Sequence, residues 1–417
     1  MSKKTIGTWF SFLCCLVYFT SYLTRINYAA ILVEIIDDFS VSKEIGSIAV
    51  TGSFITYGLG QLFSGYLGDR IPPRTMITGG LLATSAVNLS MALLPGIRPM
   101  TVLWCFNGFF QAMLWPPLVR IMAENLEDRA YTRTCAMVSA AASAATILIY
   151  LCSPLLISLS GWRTVFVTSG SAGIVTAFLW LFATRRLTSS SPSSHIARIG
   201  SANETGKVSF GQIASSGIFI LMAVIILQGI LRDGITTWMP IYIREVFSLG
   251  SASSILTTVI LPIFSIMSVS VASFLHGKIR NEVLAAAILF GGGLFASLLM
   301  TIFFSSSVVA AALLMAVITG CMHGVNLMLI SRLPVNFVRY GKVSTISGVL
   351  NACTYVGSAL STYGFAVFSE QFGWKFIIWS WVGVCFLGTS LSLVSLKFWN
   401  RFMKSPDTIH SAQGESH

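Results

Sequence analysis

Charged residues are scarce in this sequence. Only 10% of its 417 residues are Asp, Glu, Lys or Arg, against about 25% in ordinary soluble domains. Hydrophobic residues make up 54% of the chain, and the mean hydropathy is +0.79. A globular domain has too little interior to bury that much apolar surface. A water-soluble fold is therefore excluded, and we expect a membrane protein.

Several chemical signatures are also missing. The eight cysteines form no CxxC pair and lie in or beside apolar stretches, so neither a disulfide framework nor a zinc site is indicated. The sequence has no Ser/His/Asp arrangement, HExxH motif, glycine-rich phosphate loop or clustered carboxylate pair. We therefore expect no enzymatic activity, no catalytic residues, no bound metal and no cofactor.

Apolar runs of about 20 residues, the length of one membrane crossing, occur twelve times. The first continues to about Val33 without an obvious cleavage site, so it is expected to be a retained helix and not a signal peptide. The pattern predicts an all-α membrane protein. The runs lie at residues 8–33, 45–67, 75–95, 100–122, 132–158, 164–184, 214–243, 253–275, 283–304, 308–330, 343–368 and 375–399.

One long polar interval, 185–212, separates the sixth and seventh runs and is rich in serine. Such composition is typical of a solvated linker. The sequence thus predicts an N-terminal six-helix bundle over 1–184, a cytoplasmic linker over 185–212, a C-terminal six-helix bundle over 213–400 and a cytoplasmic tail over 401–417.

The distribution of basic residues predicts the topology. With the N-terminus in the cytoplasm, that side carries 18 of the 26 Lys and Arg residues and the other side carries 5, namely Lys43, Arg98, Arg163, Arg244 and Lys375. Both termini are therefore expected to be cytoplasmic. The bias explains the net charge of +11 without a nucleic-acid partner.

The two predicted bundles resemble each other. Gly161-Trp162-Arg163 and Gly373-Trp374-Lys375 open the sixth and twelfth runs, and Arg25 and Arg232 occur at a similar offset in the first and seventh. This indicates duplication of a six-helix unit. Duplicated membrane halves commonly hold a substrate between them, near the middle of the membrane.

Arg25 and Arg232 are the main candidates for a binding site. A charged side chain inside a span costs about 2.5–3.5 kcal/mol on insertion scales, and duplication brings the two guanidiniums to facing positions. Their forked donors fit phosphate or carboxylate oxygens. The alternative is that each arginine is tied to a carboxylate or to helix carbonyl groups for structural reasons.

Three other ionisable residues lie at span depth. Arg120 is near the end of the fourth span and can extend to the interface, so a structural role is expected. Asp233 follows Arg232; neighbours on a helix point about 100° apart, which limits direct pairing, so Asp233 is a proton carrier, a local negative charge or a counter-ion for another helix. His323 is either a proton relay or a packing residue.

Polar side chains at span depth are also expected to face a cavity in some cases, because unsatisfied polar groups in lipid are unfavourable. These residues are Asn27, Gln61, Gln228, Asn351, Tyr22 and Tyr355.

The segment Gly65-Tyr66-Leu67-Gly68-Asp69-Arg70-Ile71-Pro72-Pro73-Arg74 joins the second and third spans. Glycine allows close helix approach, and charges at helix ends can hold neighbouring helices together. The segment resembles the signature loop of the major facilitator superfamily. Gly65, Asp69, Arg70 and Arg74 would then take part in conformational change. Helix count, duplication and linker extend the resemblance over nearly the whole chain.

A narrower resemblance, to the organophosphate:phosphate antiporter family, rests on four segments. The segments are Tyr22-Leu23-Thr24-Arg25, Trp115-Pro116-Pro117 with Arg120, Leu231-Arg232-Asp233-Gly234-Ile235 with Trp238, Pro240 and Tyr242, and Tyr355-Val356-Gly357. The resemblance implies that Arg25 and Arg232 bind a phosphate group. Tyr22, Gln61 and Tyr355 are expected to complete the substrate site.

This chain departs from that family at three positions. Gln61 stands where the family carries Lys, Ala141 where glycerol-3-phosphate transporters carry His, and Asp233 where the family has a neutral residue. These changes make the site less positive, so a singly charged sugar acid or carboxylate becomes an alternative to a phosphate ester.

The sequence as a whole predicts a secondary active transporter that exchanges an organophosphate or sugar phosphate for phosphate by alternating access. The alternatives are a proton-coupled symporter of a carboxylate or sugar acid, using Asp233 or His323, and a transporter-like membrane sensor of such an anion. We expect a monomeric, multi-pass protein of the cell inner membrane, with the bilayer and a small anion as its partners.

Overall fold

The computed structural model describes residues 3–68, 71–186, 216–340 and 343–403, and these are almost entirely helical. Short π and 3₁₀ turns follow the thirteenth helix at Leu327–Arg332 and Leu333–Tyr340. The helices are α1 (Lys3–Ala30), α2 (Leu32–Phe39), α3 (Lys43–Gly68), α4 (Pro73–Met91), α5 (Ile97–Gln111), α6 (Trp115–Asn125), α7 (Asp128–Ser160), α8 (Arg163–Ala183), α9 (Ile218–Phe247), α10 (Ser251–Thr257), α11 (Ile260–Ile279), α12 (Glu282–Phe303), α13 (Val308–Asn326) and α14 (Val343–Met403).

Within the described residues, nine helical segments are long and apolar enough to cross a membrane. The last of them, Ile346–Met403, has 58 residues and is interrupted at Gly373, so it comprises two spans. Two more helices, α3 and α4, have 26 and 19 residues and contain more glycine, serine and threonine. Together these segments match the twelve predicted spans and confirm the all-α membrane fold.

Large apolar side chains are exposed along these helices. Phe274, Phe295 and Val309 expose 65%, 66% and 66% of their surface. Exposure of this kind is expected where lipid, not water, surrounds the protein.

Most of the predicted linker lies outside the described residues. Only Arg185 and Arg186 of the interval 185–212 are described, at the end of a short 3₁₀ turn. The predicted domain boundaries therefore stay predictions.

The predicted repeat has the same backbone break in both halves. Gly161 has φ 80° and ψ 169°, and Gly373 has φ 75° and ψ 173°. Glycine adopts this positive φ readily because it has no Cβ. The tryptophan that follows each glycine, Trp162 or Trp374, is buried. The two halves thus turn between their last two spans in the same way.

Charged side chains join the two halves at one end of the bundle. Lys43 Nζ lies 3.0 Å from Glu245 Oε2, and Arg244 pairs with Asp37 at 2.5 Å. The Glu44 carboxylate accepts a hydrogen bond from the Tyr363 hydroxyl. We call these contacts the charged seam; its residues are Asp37, Lys43, Glu44, Arg244, Glu245 and Tyr363. The predicted topology places this end outside the cytoplasm.

Inside the second half, α9 and α14 pack with their backbones in close contact. A Cβ added to Gly229 would lie 2.2 Å from the Thr354 carbonyl oxygen, and one added to Gly357 would lie 2.0 Å from the Ile226 carbonyl oxygen. Small residues allow membrane helices to approach this closely. The contact fixes the position of the neighbouring residues Arg232 and Tyr355.

The Gly357→Ala variant should unfold more readily than the wild type, because its new methyl group meets backbone atoms that cannot move independently. Overpacking of this kind costs about 1–3 kcal/mol or more. We expect a melting temperature several degrees lower for the detergent-purified protein. Gly348→Ala on the same helix is the control, since its Cβ meets nothing within 4 Å. Equal melting temperatures for the two variants would contradict this packing.

Candidate functional site

One face of α1 is fixed by a buried polar network. Ser21 donates to Gln111 Oε1 at 2.8 Å, Gln111 Nε2 donates to Thr24 Oγ1 at 2.7 Å, and Asn27 Nδ2 donates to Asn88 Oδ1 at 2.7 Å. Residues spaced by three lie on one helix face, so this network orients the whole helix. Asn27 is fully buried. Asn27 is therefore not one of the polar residues that face a cavity, because the Asn88 side chain inside the first half accepts a hydrogen bond from its amide.

Gln228 has the same role in the second half. It is fully buried, its Nε2 donates to the Met322 carbonyl at 3.1 Å, and its Oε1 accepts from the Thr354 hydroxyl at 3.5 Å. It holds α9 against α13 and α14. Gln228 is thus also a packing residue and not a cavity residue.

Arg25, also on α1, lies among aromatic rings. Its Cζ is 4.4 Å from the Tyr57 ring centre, 5.3 Å from that of Tyr22 and 5.7 Å from that of Tyr355. Its Nη2 also donates to the Tyr355 hydroxyl at 3.4 Å. Ring faces attract a cation by about 0.5–2 kcal/mol without neutralising it. Among the described residues, Arg25 forms no ion pair with a carboxylate.

Arg232 forms a two-pronged ion pair with Asp233. Its Nε lies 2.8 Å from Oδ1 and its Nη2 lies 2.7 Å from Oδ2. The side chains are 13% and 17% exposed. The expectation that the 100° offset limits direct pairing of these neighbours is wrong here, because the long arginine side chain curves back to Asp233. Asp233 also accepts a hydrogen bond from the Ser358 hydroxyl of α14.

The two arginines belong to one electrostatic environment between the halves. Arg25 contacts Tyr355 of α14, and the Asp233 partner of Arg232 contacts Ser358 of the same helix. Tyr355 and Ser358 are three residues apart and lie on one helix face. Five predicted site residues are therefore brought together. We call Tyr22, Arg25, Tyr57, Arg232, Asp233 and Tyr355 the arginine site.

The other predicted candidates lie beside this site. Gln61 is one helical turn after Tyr57 on α3, and its buried Nε2 has no hydrogen-bond partner among the described residues. His323 lies on α13, where Nδ1 is 2.9 Å from the Thr319 carbonyl oxygen. Its neighbour Met322 accepts a hydrogen bond from Gln228, which is one turn before Arg232 on α9. Both roles, substrate contact for Gln61 and proton relay for His323, stay predictions.

The residues of the predicted signature loop that the structure describes lie at the ends of α3 and α4, away from the arginine site. Asp69 and Arg70 lie outside the described residues, and Gly65 lies near the end of α3. Arg74 donates to the Leu181 carbonyl at 2.7 Å, which ties the start of α4 to the end of α8. Arg120 is half-buried on α6. The conformational and structural roles assigned to these residues are not tested by their positions.

The sequence argument missed three residues. Tyr57 provides the nearest ring to Arg25, Tyr18 packs 5.2 Å from Tyr22, and Ser358 holds Asp233. Helical spacing is the signal that identifies them. Tyr18 lies seven residues before Arg25, Tyr57 lies four residues before Gln61, and Ser358 lies three residues after Tyr355. Each spacing puts the two residues on one helix face.

A family model described as the Major Facilitator Superfamily matches residues 14–362. This match covers the helices that carry the arginine site and most of both halves.

Two curated relatives align with part of the chain. A probable hexose phosphate transport protein of Chlamydia muridarum is 26% identical over 163 residues, which is 39% of this chain and 36% of the relative. A membrane sensor protein, UhpC, of Escherichia coli is 30% identical over 105 residues, 25% of this chain and 24% of the relative. The matched stretch is thus about a third of either relative's length or less.

A solved structure shares the fold over nearly its whole length. It is a bacterial homologue of the human lysosomal transporter Spinster, in an inward-facing and occupied conformation, with a TM-score of 0.75 and 14% sequence identity. The alignment covers 96% of this chain and 98% of the other. At this identity the similarity concerns the fold alone.

Proposed function

The chain belongs to the Major Facilitator Superfamily, and on that premise we propose that it is a secondary active transporter of a small organic anion. The observation that carries this proposal is the position of Arg25 and Arg232. Each lies on the first span of its half, and α14 contacts the surroundings of both, through Tyr355 beside Arg25 and through Ser358 beside Asp233. A site contacted by both halves couples ligand binding to their relative movement.

The chemistry of the site supports an oxyanion as substrate. A guanidinium presents paired donors that match two oxygens of a phosphate or carboxylate. Arg25 has no carboxylate partner among the described residues, and Gln61 Nε2 is a buried donor without a partner there. The name of the C. muridarum relative, which refers to hexose phosphate, makes a sugar phosphate or another organophosphate the first substrate class to test.

The charged seam is our candidate for a gate. Ion pairs near the protein surface contribute only about 0–1 kcal/mol each. Several of them can therefore hold this end of the bundle closed and still break when the halves move apart. We propose that this structure is the form closed to the cell exterior. Transport then requires the Asp37–Arg244 and Lys43–Glu245 pairs to break while the other end closes.

The two coupling modes differ in the ion that is transported besides the organic anion, which is phosphate in exchange and a proton in symport. In an exchange mechanism, phosphate returns in place of the organic anion and Asp233 keeps its ion pair with Arg232. In a proton symport mechanism, Asp233 or His323 changes protonation in each cycle. We favour exchange, because Asp233 is held by three hydrogen bonds, two from Arg232 and one from Ser358.

A second candidate function is that of an anion sensor. It is favoured by the similarity to the E. coli membrane sensor protein. Substrate flux separates the two functions, since a sensor has to bind the anion but not to carry it.

We expect Arg25→Lys to lose transport by about tenfold or more. A lysine ammonium keeps the charge but cannot form the forked contact, and a charged hydrogen bond contributes about 1.5–3 kcal/mol. Flux of glucose 6-phosphate, glycerol 3-phosphate and glucuronate into proteoliposomes measures this.

The control for that experiment is Arg98→Lys, because Arg98 is exposed outside the site. Normal flux in Arg25→Lys would contradict the proposed role of Arg25. Anion binding without flux in the wild type would favour the sensor.

We also expect Asp37→Asn to open the seam several-fold more often, because it removes an ion pair between the halves. Phe54→Cys reports the opening, since Phe54 lies between the seam and Tyr57 on α3 and packs 6.2 Å from the Tyr355 ring. In a chain whose native cysteines are replaced, a membrane-impermeant thiol reagent should label this cysteine faster from outside the cell.

Asp38→Asn is the matched control for the seam. Asp38 pairs with Arg163 at 3.2 Å, a contact within the first half, so its loss should leave labelling unchanged. Equal labelling rates in the Asp37 and Asp38 variants would contradict the gate.

A further inference from the structure

The two guanidinium nitrogens of Arg232 that would best bind a substrate anion already bind the Asp233 carboxylate. Both Nε and Nη2 contact the Asp233 carboxylate, and these are two parallel donors of the kind that grip a phosphate group in a two-pronged manner. A substrate anion must therefore use the remaining donors of Arg232 or displace Asp233.

Asp233 is not easily displaced. It accepts from two guanidinium nitrogens and from Ser358, which is a buried residue of α14. Charge-assisted hydrogen bonds are about twice as strong as neutral ones. Asp233 consequently acts as a permanent part of the site and not as a placeholder for substrate.

The charges of the arginine site leave one net positive charge. Arg232 and Asp233 neutralise each other. Arg25 is surrounded by the rings of Tyr22, Tyr57 and Tyr355, which attract its charge without removing it. Among the six residues of the arginine site, only Arg25 is left to balance the charge of a bound anion.

We propose that Asp233 sets the charge of the substrate and selects a singly charged oxyanion, such as a sugar acid, over a doubly charged phosphate ester. This inference rests on the proposed function as an anion transporter. A dianion in the site leaves one negative charge without a partner between membrane-spanning helices, where unpaired charge is strongly unfavourable. A monoanion on Arg25 leaves the site neutral.

The test compares matched ligands that differ in charge. Glucuronate and glucose 6-phosphate share a hexose skeleton, and glycerate and glycerol 3-phosphate share a three-carbon skeleton. At pH 8 the two acids carry one negative charge and the two phosphates carry two. Thermal stabilisation of the detergent-purified full chain, measured against ligand concentration, gives the apparent Kd of each ligand.

For the wild type we expect the acid of each pair that binds to have an apparent Kd at least tenfold lower than its phosphate partner. Asp233→Asn removes the negative charge beside Arg232 and so leaves a second positive charge unpaired. In this variant the apparent Kd of the phosphate, divided by that of the acid, should be at least tenfold lower than in the wild type. Asp38→Asn removes one negative charge outside the arginine site and should leave the ratio unchanged.

Three outcomes separate the inference from the function it rests on. A wild-type preference for the phosphates, or a ratio that Asp233→Asn does not move, would overturn the inference and leave an anion transporter. Failure of all four ligands to stabilise both the wild type and Asp233→Asn would contradict the proposed function as well. If Asp233→Asn does not fold, the wild-type preference alone decides.

Discussion

The need to stabilise positive charge inside the membrane governs the centre of this protein. An arginine at span depth costs about 2.5–3.5 kcal/mol on insertion scales, and this chain carries one on the first helix of each half. Both guanidiniums have partners, but of different kinds. Arg25 is enclosed by tyrosine rings, whereas Arg232 is paired with a carboxylate. The rest of the architecture holds these two arrangements in place.

The asymmetry of the arginine site arises within a duplicated scaffold. The halves share the backbone break at Gly161 and Gly373, and each fixes its first helix with a buried amide, Asn27 or Gln228. Similar scaffolding therefore presents one arginine that is enclosed by tyrosine rings and one that is paired with a carboxylate. The ion pairs of the charged seam join the two halves at one end of the bundle, away from the arginine site.

Sequence alone predicted the features that depend on composition. Twelve spans follow from apolar runs of membrane length, and the choice of Arg25 and Arg232 as candidates follows from the unfavourable burial of charge. The partners of polar side chains did not follow, since they depend on how helices rotate and which rotamers are adopted. Asn27 and Gln228 therefore proved to be packing residues. The contact between Lys43 and Glu245 joins residues some 200 positions apart, and no local pattern reveals it.

The most direct test of the central claim, that one anion site lies between Arg25 and Arg232, is a cryo-electron microscopy structure of the full chain with glucuronate. Our account predicts ligand density between the halves, with a carboxylate oxygen about 3 Å from a guanidinium nitrogen of Arg25 and Asp233 still paired with Arg232. Density confined to one half, away from both arginines, would contradict it.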